Sequence, residues 1–109
     1  MVSNTFNGMN IIIKTTNIEL SPFIREFIEK KIGSLTKFLK HATPGLIEAR
    51  IEIGKPSRHH KSGAVFYAEA NLVLPGKLLR AEANHMDLKY AINKIRDELE
   101  KQIEKYKNK

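Results

Sequence analysis

Lys101 and Lys105 stand one helical turn apart near the carboxyl end of this 109-residue chain. The chemistry they suit is ion pairing with phosphate rather than catalysis. A spacing of four on a helix lets two ammonium groups reach neighbouring phosphates, and a place near the helix C-terminus is favoured by the macrodipole. On a helical wheel Lys94 shares their flank, while Lys89, Arg96 and Lys107 fall on the other. Lys30, Lys31 and Lys37 lie in an earlier helical stretch. Arg80 points outward from a strand, and Arg58, His59, His60 and Lys61 cluster in a polar loop. Asp97, Glu98, Glu100 and Glu104 are interleaved with the last set of lysines. Charge alone therefore favours a solvated helix face of mixed sign over a nucleic-acid contact.

Other chemistries find little support. The chain has no cysteine, so a disulfide framework, a thiol nucleophile and thiolate-bound zinc are excluded. No P-loop, glycine-rich cradle or Ser/His/Asp motif appears, which argues against an enzyme with a small-molecule substrate. His59 and His60 would point to opposite sides of an extended segment, and no nearby carboxylate completes a tetrahedral site, so neither a metal nor another cofactor is expected. The excess of 19 Lys+Arg over 12 Asp+Glu, a net +7, favours a polyanionic partner. The apolar runs are far too short for a membrane-spanning helix, and the amino end resembles no secretory signal. A soluble cytoplasmic protein is the expectation.

The elements that would position these lysines follow from hydrophobic period. Residues 1–8 are polar and small and read as a disordered tail whose removal costs little. Residues 9–109 form one domain, large enough for a single modest core. Asn10 to Lys14 is a β-branched strand. Ser21-Pro22 opens a helix whose core stripe is Ile24, Phe27, Ile28, Ile32, Leu35 and Leu39, ended by Thr43-Pro44-Gly45. Ile47, Ala49, Ile51 and Ile53 alternate with polar residues in a second strand. A third strand places Phe66, Ala68, Ala70, Leu72 and Leu74 inward and Tyr67, Glu69 and Asn71 outward. Pro75-Gly76 suits a tight turn into a fourth, Lys77 to Ala83. Asn84 is the expected cap of the last helix, with Asp87 reaching back, and Leu88, Ile92, Ile95, Leu99, Ile103 and Tyr106 are its stripe. The predicted fold is α/β in the α+β sense: a two-layer β-α-β-β-β-α sandwich, with a four-stranded mixed sheet and two helices on one face.

The ordered set of residues resembles the ribosome hibernation promoting factor family, also called ribosome-associated inhibitors and sigma-54 modulation proteins. Leu74-Pro75-Gly76, Leu79 to Glu82, Asp87, Ala91-Ile92, Leu99, Lys101-Gln102 and Lys105 carry the resemblance in the second half. Asn10-Ile11, Ile18 to Leu20, Arg25 to Phe27, Lys31, Leu35 and Lys37 carry it in the first. The resemblance implies a non-enzymatic factor, monomeric off the ribosome. It would dock in the decoding region of the small ribosomal subunit, contact ribosomal RNA through basic helix faces, and inhibit translation in stationary phase or stress. With no linker, further domain or acidic tail after Lys109, the chain is most similar to the short type. Lys30, Lys31, Lys37, Arg58, His59, Arg80, Lys89, Lys94, Lys101 and Lys105 become the candidate contacts.

Three departures thin that set. Glu98 stands where relatives usually carry lysine, Lys89 replaces a tyrosine that moves to Tyr90, and Ser34 replaces a lysine. Phe66, Tyr67 and Tyr90 are weighed as base-stacking rings; Phe66 is expected in the core, and Tyr67, on the exposed sheet face, ranks no higher than a surface residue. The runner-up function is a general double-stranded RNA binding module, which also sets two helices on one side of a sheet but lacks the first strand seen here.

Overall fold

A computed structural model describes residues 1–39, 47–56 and 65–108. The sheet has five strands rather than four: β1 Val2–Phe6, β2 Met9–Thr16, β3 Ile47–Gly54, β4 Phe66–Leu74 and β5 Lys77–His85, in that spatial order. Pairing is parallel between β2 and β3 and antiparallel elsewhere. Helix α1, Pro22–Gly33, with a 3-10 turn at Ser34–Phe38, lies between the two parallel strands in sequence, and α2 spans Leu88–Lys107. The two-layer arrangement and mixed sheet agree with the periodicity.

The additional strand corrects the tail. Val2–Phe6 pairs with Met9–Ile13 as a hairpin whose turn residues, Asn7 and Gly8, have φ of 54° and 80°. Two central residues with positive φ match the twist of the flanking strands, and Asn-Gly is the dipeptide that adopts them at least cost. The signal was present in the sequence; the short, polar strand before it lacked the alternation that would have drawn notice. Phe6 folds onto α1 where Gly33 leaves space, since a Cβ there would run into the Phe6 ring.

Both helices cover one face of the sheet. Met9, Ile11 and Ile13, Ala49, Ile51 and Ile53, Ala68, Ala70 and Leu72, and Leu79 and Ala81 meet Ile28, Ile32, Ile92, Ile95, Leu99 and Ile103, all buried. The Ser21 hydroxyl accepts from the Ile24 amide at 3.1 Å, with Pro22 next to it, as the cap pattern requires. At the other helix the cap moves. Asp87, not Asn84, is the N-cap, its carboxylate accepting from Lys89 N–H at 2.9 Å, because β5 runs on through Asn84 to His85. Gly76, with φ of 70°, makes the Pro75-Gly76 turn between the paired residues Leu74 and Lys77. Phe66 is half-buried rather than core: it stands at the end of the sheet with the Lys55 ammonium 5.2 Å from its ring centre. The expected stop at Thr43-Pro44-Gly45 lies outside the described residues. No described helix is long and apolar enough to cross a membrane.

Candidate nucleic-acid interface

Charge separates between the two layers. The two helices and the 3-10 turn carry ten Lys and Arg against six Asp and Glu, a surplus of four. On the open face of the sheet Lys14, Arg50 and Arg80 stand among Glu48, Glu52, Glu69 and Glu82, three against four. The positive surplus of the described core thus lies on the helix layer, which also presents the long, outward-reaching side chains.

The periodicity that buries one stripe of each helix sets the direction of the others. Lys94, Lys101 and Lys105 are exposed on the flank of α2 turned away from α1. Lys30 is exposed on the outer side of α1, and Lys37 on the turn that follows. Three lysines lie over aromatic rings of the α1 region: Lys31 over Phe27 at 5.6 Å, Lys37 over Phe38 at 5.2 Å and Lys89, reaching across from α2, over Phe23 at 5.3 Å. These contacts hold stems on the surface and keep the ammonium heads in solvent. Among the described residues the ion pairs are all made by arginines, so none of the candidate lysines is neutralised by a carboxylate.

The arginines are occupied. Arg96 pairs with Glu100 and with Asp97 at 3.4 Å, and reaches Ser34 of the 3-10 turn after α1 at 3.5 Å, which ties α2 to the end of α1. Arg25 pairs with Glu29 at 3.3 Å, and Glu29 also accepts from the Asn4 amide of β1 at 2.9 Å. Arg80 does not join the lysines. It projects from the open face of the sheet toward Glu69 at 3.9 Å and Glu82 at 3.7 Å. Arg58 and His59 lie outside the described residues. The structure therefore brings Lys30, Lys31, Lys37, Lys89, Lys94, Lys101 and Lys105 onto one layer.

The open face holds a different arrangement. One oxygen of Glu52 accepts from the Tyr67 hydroxyl at 2.7 Å and the Thr16 hydroxyl at 2.9 Å. Those two hydrogen bonds, the one from Tyr67 being the larger influence, hold the Glu52 carboxyl below its usual range against the opposing effect of burial. Burial raises Tyr67, and its bond to Glu52 adds to the rise. Tyr67 is thus engaged in holding β4 to β3 and is not a free ring. Among the described residues no group of three or more histidines and carboxylates is placed to hold a metal.

Sequence reasoning passed over Phe23 and Met86 and weighed Tyr90 only as one of several base-stacking rings. Phe23, Met86 and Tyr90 are 60%, 76% and 51% exposed. For Phe23 and Tyr90 the available sign was a place on the polar side of the helix pattern, while Met86 precedes α2.

Known proteins resemble the chain along most of its length. A Bacillus subtilis protein named ribosome hibernation promotion factor is 30% identical over 101 residues, which cover 93% of this chain and 50% of that protein. The chain thus spans about half the length of that relative. An Acinetobacter guillouiae ribosome hibernation promoting factor is 29% identical, with 91% and 88% of the two chains covered. The crystal structure of the Thermus thermophilus Protein Y N-terminal domain superposes with a TM-score of 0.71 at 28% identity, over 88% of this chain and 94% of that one. Residues 11–109 match the family described as Sigma 54 modulation protein / S30EA ribosomal protein, and the chain belongs to that family.

Proposed function

We propose that this chain is a ribosome hibernation factor whose helix layer docks on ribosomal RNA in the decoding region of the small ribosomal subunit. There it occupies the space of messenger and transfer RNA and inhibits translation in stationary phase or stress. The observation that carries the reading is the segregation of charge: the surplus of lysines lies on one layer, unpaired with carboxylates among the described residues, above a sheet face of nearly balanced charge. Exposed lysines at one-turn spacing on α2 suit phosphates, which position a protein on RNA without reading sequence. Relatives bearing the hibernation-factor name support the choice of ribosome over other polyanions. The proposed action is non-enzymatic, needs no cofactor, takes place in the cytoplasm and is that of a monomer off the ribosome.

The test compares two double charge reversals in a translation assay with purified ribosomes. Lys101→Glu with Lys105→Glu puts negative charge where phosphates would sit, and inhibition should be lost with circular dichroism unchanged, because neither residue belongs to the buried stripe. Lys14→Glu with Arg50→Glu, on the open sheet face, makes the same change in net charge and should retain most of the inhibition. Equal loss in both would mean that total charge, and not the helix layer, does the binding.

A further inference from the structure

We propose that the rings gathered at the start of α2, with Tyr90 at their centre, form a stacking site for one unpaired RNA base. The proposal rests on the ribosomal RNA reading above and adds to it a contact that lysines cannot make. His85, the last residue of β5, lays its ring on Tyr90 with centroids 4.0 Å apart and planes 21° from parallel. The His85 ring is itself held, because the Asp87 amide donates to its Nδ1 at 2.9 Å. The pair is therefore a fixed two-ring pile, and it lies at the surface, with Tyr90 51% exposed.

Single exposed apolar residues on a protein surface are ordinary. Here they gather at one end of the molecule. Met86 precedes the helix, Tyr90 is in its first turn, and Phe23 in the first turn of α1 carries the Lys89 ammonium at 5.3 Å. Neither ring is needed by the core, which is complete on the other side of both helices. Lys94 is exposed one turn on from Tyr90, while Lys89 reaches back over Phe23, so a base placed on the pile would have a flanking phosphate beside the Lys94 ammonium. Asp87, the acid within the cluster, is exposed and accepts from the Lys89 amide at 2.9 Å as the helix cap. Aromatic rings interleaved with lysines are what an unpaired nucleotide requires: a π-face for the base and cations for its backbone. A purely hydrophobic protein patch would gain nothing from the parallel rings or from the flanking Lys94.

The test measures the affinity of the full chain for purified small ribosomal subunits, together with dimethyl sulfate reactivity of the RNA bases, for the natural protein and Tyr90→Phe, Tyr90→Leu and Tyr90→Ala. Stacking needs the ring and not the hydroxyl, so Tyr90→Phe should bind within about twofold of the natural protein. Tyr90→Leu and Tyr90→Ala should weaken binding about tenfold, the size of one base–aromatic stack. Their salt dependence should not change, since no charge is removed. An unpaired base whose reactivity changes in the natural and Tyr90→Phe complexes should revert with Tyr90→Leu. If Tyr90→Ala lowers the thermal midpoint, the Phe and Leu variants, both of which fill the site, carry the comparison. Equal binding by Leu and Phe would overturn the proposal in favour of an apolar patch for protein. Unchanged binding by all three variants would overturn it while leaving the docking reading intact, whereas a natural protein that does not bind small subunits at all would overturn both.

Discussion

At Gln102 a single carboxamide closes part of the free edge of the sheet. It accepts from the Arg80 backbone N–H at 3.2 Å and donates to the Arg80 carbonyl at 2.7 Å, as a neighbouring strand would. Glu98, one turn earlier, accepts from the same amide nitrogen at 3.3 Å and holds it in place. Exposed strand edges invite pairing with other chains, so Gln102→Ala should cost about 1 kcal/mol in urea unfolding and increase self-association in sedimentation. Glu98 was legible in the sequence only as a negative charge beside the lysines. Its removal from that flank by Glu98→Lys should tighten ribosome binding or leave it unchanged, but the structure adds a small loss of stability, well under 1 kcal/mol, from the freed Gln102. The pair formed by Glu52 and Tyr67 could not be read from sequence at all, since the partners belong to different strands and are 15 residues apart. Its consequence is a dependence of stability on pH. Glu52 has its carboxyl lowered in the fold, so its contribution is full above the pKa of an unfolded glutamate and is lost as pH falls through the folded value. Tyr67 is raised, so its contribution is full below the unfolded tyrosine value and is lost as pH rises through the folded one. Tyr67→Phe should flatten both limbs of a plot of urea midpoint against pH; a profile that keeps its acid limb would assign that limb to other carboxylates.

Among the elements, those with a strong period were the ones legible in the sequence. The alternation of Ile47 to Ile53, the stripe of α2 and the Ser21-Pro22 start are each fixed by residues close in the chain, and all three appear where the pattern puts them. The misplaced cap at Asn84 and the missed β1 share a cause: each depends on a strand being extended or covered by tertiary pairing, which overrides a local signal. The dock of β1 on α1 can be tested through Gly33, the last residue of α1, which has ordinary helical angles. In a helix, Gly→Ala normally gains up to about 1 kcal/mol. Here the new Cβ would meet the Phe6 ring, so Gly33→Ala alone should destabilise the protein. In a Phe6→Ala background the obstacle is gone, and the same substitution should stabilise. The sign change across that double-mutant cycle is specific to the contact. Removal of residues 1–7 should likewise cost about 1–2 kcal/mol, because it strips the partner strand from β2 and the Asn4 bond from Glu29. Additive effects in the cycle would mean that β1 does not pack on the helix in solution.

For the whole molecule, a net charge of +7 predicts attraction to any polyanion but not a place for it. The fold supplies the place, because hydrophobic period turns the lysines of both helices to one side while the strands pair their arginines with carboxylates on the other. The two contributions can be separated by ionic strength. Each phosphate engaged releases counterions, and the slope of log K against log salt is about −0.7 to −0.9 for each one. If about four to eight phosphates are engaged, the natural protein should show a slope between about −3 and −7 with small ribosomal subunits. A long-range attraction of the total charge would be reduced equally by either double reversal. Direct contact predicts otherwise: Lys101→Glu with Lys105→Glu should make the slope shallower by about two contacts, and Lys14→Glu with Arg50→Glu should shift affinity with the slope preserved. A flat response to salt in the natural protein would remove phosphate contact as the basis of binding. The affinity that remained would then have to come from surfaces the lysines do not supply, of which the rings at the start of α2 are the foremost in this fold.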